Sequence, residues 1–166
     1  VIWLSIIQIL IFHFDKNLLS ILLIVVTTTA FSQINFDLKT SNVKWTGKKI
    51  TNQAHSGSIK FSSASLSLDN PNNPLGVFTV DMTSLTNEDL TGEWKQKLEG
   101  HLKSDDFFSV KKYPKATLII KKINSHNNNT YEVTGNLTIK NRTHPVNFSL
   151  VVYKDRVESK LTFDRT

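Results

Sequence analysis

His101, Asp105 and Asp106 lie within one short stretch, HLKSDD, and are the residues whose types could do polar chemistry. An imidazole beside two carboxylates could serve as a general acid–base pair or hold a metal ion. A metal site needs several converging ligands, and only His55 and His144 could add to this one. Nothing in their spacing brings them near. The chain has no cysteine, and no glycine-rich phosphate loop, nucleophile elbow or Ser-His-Asp order is present. No catalytic residue, metal ligand or cofactor is therefore expected. The expected structural role is that His101 orients a helix end while Asp105 or Asp106 caps the turn that follows.

The apolar residues carry a stronger signal. Trp45, Phe61, the trio Phe78, Val80 and Met82, the pair Leu118 and Ile120, the trio Val133, Leu137 and Ile139, the pair Phe148 and Leu150, and Leu161 all alternate with polar neighbours. Alternation with a period of two puts each set on one face of a strand. These stripes would line the inside of a curved sheet. A filled core and a ligand-holding interior give the same stripe, so both stay open at this level.

The elements that must position these residues can be read in order. Val43, Trp45 and Gly47 open a strand, and QAHSG (Gln53–Gly57) reads as a turn. Ser58–Leu68 alternates twice, with a phase slip at Ser62-Ser63 that predicts a β-bulge. DNPNNP (Asp69–Pro74) is a turn cluster, and a strand follows from Gly76 to Met82. Gly92–Pro114 is the one strongly helical stretch. Trp94, Leu98 and Leu102 fall at i, i+4 and i+8, which predicts an amphipathic helix whose apolar face packs onto the sheet. Thr91 or Asp89 can cap it, and Phe107 and Phe108 re-enter an apolar region and seal the barrel mouth. Further strands run through Ala116–Ile120, Tyr131–Ile139, Val146–Val152 and from Val157 past Leu161. A polar loop at His126–Asn129, a tight hairpin at Asn141-Arg142 and a turn at Asp155-Arg156 separate them. The reading is all-β: an antiparallel sheet of about seven strands, closed or nearly closed, with one helix between strands.

The net charge is +6, and the lysines are spread over many segments, with small doublets at Lys48-Lys49, Lys111-Lys112 and Lys121-Lys122. That is the pattern of a solvated surface and not of a nucleic-acid face. Anionic lipid head groups, met in transient contact with a membrane surface, or polyanionic envelope polymers are the partners such charge would suit. Residues 16–32 read as a secretory signal, with Lys16 and Asn17 ahead of LLSILLIVV and small residues Ala30 and Ser32 before a cleavage point at Gln33. Residues 1–15 fall outside that pattern and read as an upstream extension. The expected mature domain is 33–166, periplasmic or secreted.

Several segments in order resemble one family. They are VKWTGKKI with HSGSIKF (Val43–Phe61), GVFTVDMTSLTNEDL (Gly76–Leu90), KQKLEGHLKSDDFFSVKKYPKATLII (Lys95–Ile120), YEVTGNLTIKNRTHPVNF (Tyr131–Phe148) and FDRT (Phe163–Thr166). Together they resemble the bacterial YceI-like, lipocalin-like, polyisoprenoid-binding proteins. The matching positions are Asp81, Ser84, His101, Leu102, Asp105, Phe107, Phe108, Pro114, Ala116, Thr134, Gly135, Pro145, Asp164 and Arg165. The resemblance implies an exported eight-stranded antiparallel barrel, often dimeric and without enzymatic activity, whose interior holds a polyisoprenoid or other long-chain lipid. On that expectation the apolar stripes, with Leu98, Leu102, Phe107 and Phe108, line the ligand site, and His101, Lys97 or Lys103 reaches a head group. The family pattern continues past FDRT, so this chain is expected to lack a last strand and leave its barrel open between Val43 and Leu161. The alternative is a structural or stress-related envelope protein with a filled core and no ligand.

Overall fold

A computed structural model describes residues 34–48, 53–69 and 75–163. The expected leader and extension, residues 1–32, lie outside the described residues, as do Asn70–Pro74 of the turn cluster and Asp164 and Arg165. Seven strands and one helix follow the alternation. They are β1 (Asn42–Lys48), β2 (Ala54–Leu66), β3 (Gly76–Asn87), α1 (Gly92–Lys103), β4 (Lys115–Asn127), β5 (Thr130–Ile139), β6 (Arg142–Val152) and β7 (Val157–Lys160). All pair antiparallel with their sequence neighbours, in the order β1-β2-β3-β4-β5-β6-β7. The sheet curls into a half-barrel with β1 and β7 as its edges.

Register places the apolar stripes on one face. Phe61 faces Val80, which faces Ala116. The next row runs Ala64, Phe78, Leu118, Leu137, and the next Leu66, Gly76, Ile120, Gly135, Val146. Directly paired residues in antiparallel strands point to the same side, so these rows form the concave face. The bulge expected at Ser62-Ser63 is present as a register shift between Phe61 and Ser63, and a second falls between Ser58 and Lys60. There β3 spends four residues, Met82 to Leu85, against Ile59. The Asp81 carboxylate accepts from the Thr83 backbone N–H and hydroxyl, and the Ser84 hydroxyl donates to Asp81 O. The kink lets Leu85 and Asn87 reach the interior after Met82, a change of phase that simple alternation does not predict.

Four expectations are corrected here. Ala54–Gly57 belongs to β2, because β1 pairs with it as far as Ala54. His126 and Asn127 continue β4, leaving only Asn128 and Asn129 in the turn, with Asn128 at φ 52°. The next hairpin turns on Lys140 and Asn141, one residue earlier than read. Both have left-handed φ, the geometry of a type I′ turn that matches sheet twist. The third strand runs on to Asn87, five residues past Met82.

Two apolar clusters occupy the concave side. One joins Ile59, Met82, Leu85, Leu102, Val110 and Ala116; the other joins Leu66, Leu75, Ile120, Val133, Phe148 and Leu150. Ile34 and Phe36, ahead of the first strand, pack on the second cluster. Ile34 bridges to Leu66, and the Phe36 ring meets Phe78 edge-on at 5.6 Å.

Candidate functional site

The concave face is built in three zones. At the helix end, Leu102 and Met82 are buried, and Val80, Leu98, Phe107, Phe108 and Ile139 pack around them. Trp45 joins this zone by lying over Gly57, its indole Nε1 donating to Thr86 O at 3.2 Å. At the far end, Ile120, Val133, Phe148 and Leu150 are buried, with Phe78, Leu118 and Leu161 packed against them. Between the ends, Phe61, Phe78, Val80, Leu118 and Leu137 are all only half-buried. The Phe61 and Phe78 rings stand 6.3 Å apart. This band is where the half-barrel keeps apolar surface that its own chain does not fully cover. No helix among the described residues is long and apolar enough to cross a membrane.

α1 departs from the expected face. Trp94 is 72% exposed, so it does not pack onto the sheet. The cause is Glu99. Its Oε1 accepts from the Thr86 hydroxyl and the Asn87 backbone N–H, each at 2.8 Å. That contact fixes the rotation of the helix so that Leu98, Glu99 and Leu102 face β3. Trp94 lies about 80° around the axis from Leu102 at 3.6 residues per turn, on the flank. The expected caps also differ. Thr91 occupies the N-cap without a side-chain cap bond. Asp89 turns instead to β2, accepting from Ser56 N at 2.7 Å and meeting His55 Nδ1 at 2.8 Å. At the C-terminal end, Ser104 N donates to His101 O, Phe108 N to Leu102 O and Val110 N to Lys103 O, which folds the DDFF turn back beneath the helix. The Asp105 carboxylate takes Lys112 Nζ at 3.0 Å, and the Ser109 hydroxyl in the turn donates to the Asp105 carbonyl oxygen at 3.1 Å. His101 is exposed, with its ring edge-on to Phe107 at 5.7 Å. Among the described residues no three His, Cys, Asp or Glu side chains converge as a metal site would need.

The centre of the polar wiring is Asn87, which is fully buried. Its Nδ2 donates to Ser56 O and Asp89 Oδ1, and its Oδ1 accepts from Leu90 N. This knot ties the start of β2, the end of β3 and the lead into α1. Sequence reasoning missed it, because His55 and Ser56 lie more than thirty residues from Asn87 and Asp89 along the chain and no spacing rule links the two pairs. The Asp89 carboxyl is held down to about 2, first by the Ser56 N–H and then by His55. Glu88 is lowered as well, chiefly by its hydrogen bond from Lys44, and Asp105 by Lys112. A carboxyl whose folded pKa is depressed contributes stability above its ordinary value, near 3.8 for Asp89, and loses it as pH falls toward about 2. The melting temperature is therefore expected to fall steeply between pH 4 and 2. Asp89→Asn should melt lower than the parent at pH 6 and show a shallower acid limb. Circular dichroism melts across that range check this; parallel acid limbs would exclude Asp89 as a contributor.

A sequence model of the YceI-like domain matches residues 34–166. The chain belongs to that family. The structure is similar to that of BcnA from Burkholderia cenocepacia, with a TM-score of 0.54, 26% identity and 74% of each chain covered. A YCEI protein of Campylobacter jejuni is 27% identical, with a TM-score of 0.44 over 71% of this chain and 67% of that one. A UPF0312 protein of Pseudomonas putida strain W619 is 44% identical over 48 residues, which are 29% of this chain and 25% of the relative. The matched stretch thus spans about a quarter of the length of the curated relatives. In this YceI-like domain the residues HLKSDDFF form the helix terminus and its return turn, and Thr134-Gly135 sits where β5 crosses Ile120. A Cβ on Gly135 would lie 2.7 Å from Ile119 O, so glycine allows β4 and β5 to pair beside the fully buried Ile120.

Proposed function

We propose that this YceI-like domain binds a long apolar lipid, a polyisoprenoid or one of similar chain, along its concave face in the bacterial cell envelope, without catalysing a reaction on it. The observation that carries the reading is the half-buried band of Phe61, Phe78, Val80, Leu118 and Leu137 between two packed clusters. A filled barrel would cover those side chains with its own chain. An apolar tail laid along them replaces water at about 0.8 kcal/mol per methylene, so ten carbons contribute roughly 8 kcal/mol before association costs. Those costs are about 4–15 kcal/mol, so useful affinity needs a longer tail or a head-group contact. Lys97 and Lys103 stand near the helix end for that contact. Family membership supports the ligand class and a non-enzymatic role.

The test is organic extraction of the purified full chain followed by mass spectrometry. Leu118→Lys should abolish lipid recovery while the fold persists, because Leu118 is half-buried. Phe148 is a poorer probe: it is buried at 6% exposure, and a charge there would unfold the far cluster. No lipid in the parent would favour the filled-core alternative, and unchanged lipid recovery in Leu118→Lys would show that the lipid is not held on this band.

A further inference from the structure

The helix end of the half-barrel carries a surface most of which the concave face does not use. β3 ends there, β4 begins there, and the β5–β6 hairpin turns there. Trp94 is the most exposed large apolar side chain among the described residues. The helix is docked by its Leu98, Glu99 and Leu102 side, so Trp94 is not needed to hold it. Lys97 Nζ lies 5.1 Å from the Trp94 ring centroid, and His101 follows one turn on, both exposed. Residues at i, i+3 and i+7 share one helix flank. This flank therefore presents an indole with cationic and amphipathic neighbours.

The charge at this end is unbalanced. Its acids are largely occupied: Glu93 pairs with Lys97 at 2.7 Å, Asp105 with Lys112, and Glu99 turns onto β3. Lys48, Lys103, Lys111, Lys115, Lys140 and Arg142 make no ion pair among the described residues; Asp106 and Asp81, which faces Lys115 across the sheet, are acids left with them. The opposite end differs. There Tyr153 is covered by Arg156, whose guanidinium is neutralised by Asp155 and Glu158. Tryptophan settles at the head-group level of a bilayer, and lysines reach past it on apolar stems to lipid phosphates. A soluble polyanion would engage the lysines but leave the indole in water.

We propose that the helix end docks on an anionic lipid bilayer, with Trp94 seated in the interface and the unpaired lysines on the head groups. Lys97 and Lys103 are also assigned to a bound lipid's head group, but Trp94, Lys111 and Lys115 stand apart from the concave face, so changes at those three read docking separately from lipid held there.

The chain has no cysteine, so a single one can report position. Gly100 has open space around its absent side chain, which makes Gly100→Cys a mild change. The full chain carrying Gly100→Cys and an environment-sensitive dye is mixed with phosphatidylcholine vesicles, with and without phosphatidylglycerol. Asp155→Cys, labelled alike, reports the opposite end. The dye at 100 is expected to shift to the blue on the anionic vesicles only, and the dye at 155 to stay unchanged. The double change Lys111→Glu with Lys115→Glu should weaken partitioning about tenfold or more. Trp94→Ala should abolish the dye shift while leaving the melting temperature as it was. Equal response at 155, equal binding to neutral vesicles, or insensitivity to both changes would overturn the proposal. So would vesicle binding that is indifferent to Trp94 and is matched by a DNA fragment with the same lysine dependence.

Discussion

Asn87→Leu is expected to destabilise the domain by roughly 3–5 kcal/mol, one of the largest effects of any single change. Asn87 is fully buried, and its side chain makes three hydrogen bonds, to Ser56 O, Asp89 Oδ1 and Leu90 N. A net hydrogen bond is worth about 1 kcal/mol, and one to a charged group about 1.5–3. The loss is not symmetric. Ser56 O keeps the Glu88 N–H and Asp89 keeps the Ser56 N–H, but Leu90 N is left without its acceptor at the entry to α1. Leucine has nearly the same shape, so the cost is polar and not a cavity. Total stability is of order 5–15 kcal/mol, so the variant should stand near the limit of folding. Urea unfolding should show a lower midpoint with the slope kept. A loss under about 1 kcal/mol would mean that the knot is incidental to the fold.

Gly57→Ala should be nearly as damaging, and for a steric reason. A Cβ at Gly57 would lie 1.9 Å from Thr86 O and 2.7 Å from the Trp45 ring. The first neighbour is backbone and cannot rotate away. To admit a methyl group, β2 must move off β3 where the bulges already crowd the register, and the Trp45 indole must leave its bond to Thr86 O. Overpacking of this kind costs about 1–3 kcal/mol and sometimes more, and here it falls on backbone. Gly100→Ala is the matched control. Nothing lies within 4 Å of its absent Cβ, and it sits inside α1. That substitution should stabilise by up to about 1 kcal/mol from helix propensity. Thermal melts of the two variants should move in opposite directions; a shared direction would show that the close approach at Gly57 is relieved cheaply.

Much of the architecture follows from the sequence by itself, because it rests on local rules. A period of two along β3 to β6, turn residues at each hairpin, the slip at Ser62-Ser63 and one helical stretch are sufficient for seven antiparallel strands with α1 between the third and fourth. The same stripes identify the concave face, since alternation and register put Phe61, Phe78, Val80, Leu118 and Leu137 on one side. What the tertiary structure alone decided involves groups distant along the chain. Periodicity put Trp94 on the buried face of α1, yet the contact of Glu99 with Thr86 and Asn87 set the rotation and left Trp94 in water. Asp89 has the type and position of a helix cap, but Ser56 and His55 on a neighbouring strand compete for its carboxylate and hold it. Ile34 and Phe36 precede the first recognisable strand, and only the curl of the sheet brings them to Leu66 and Phe78. Local sequence sets which face of an element is apolar; the few polar contacts made after collapse set which way that element is turned.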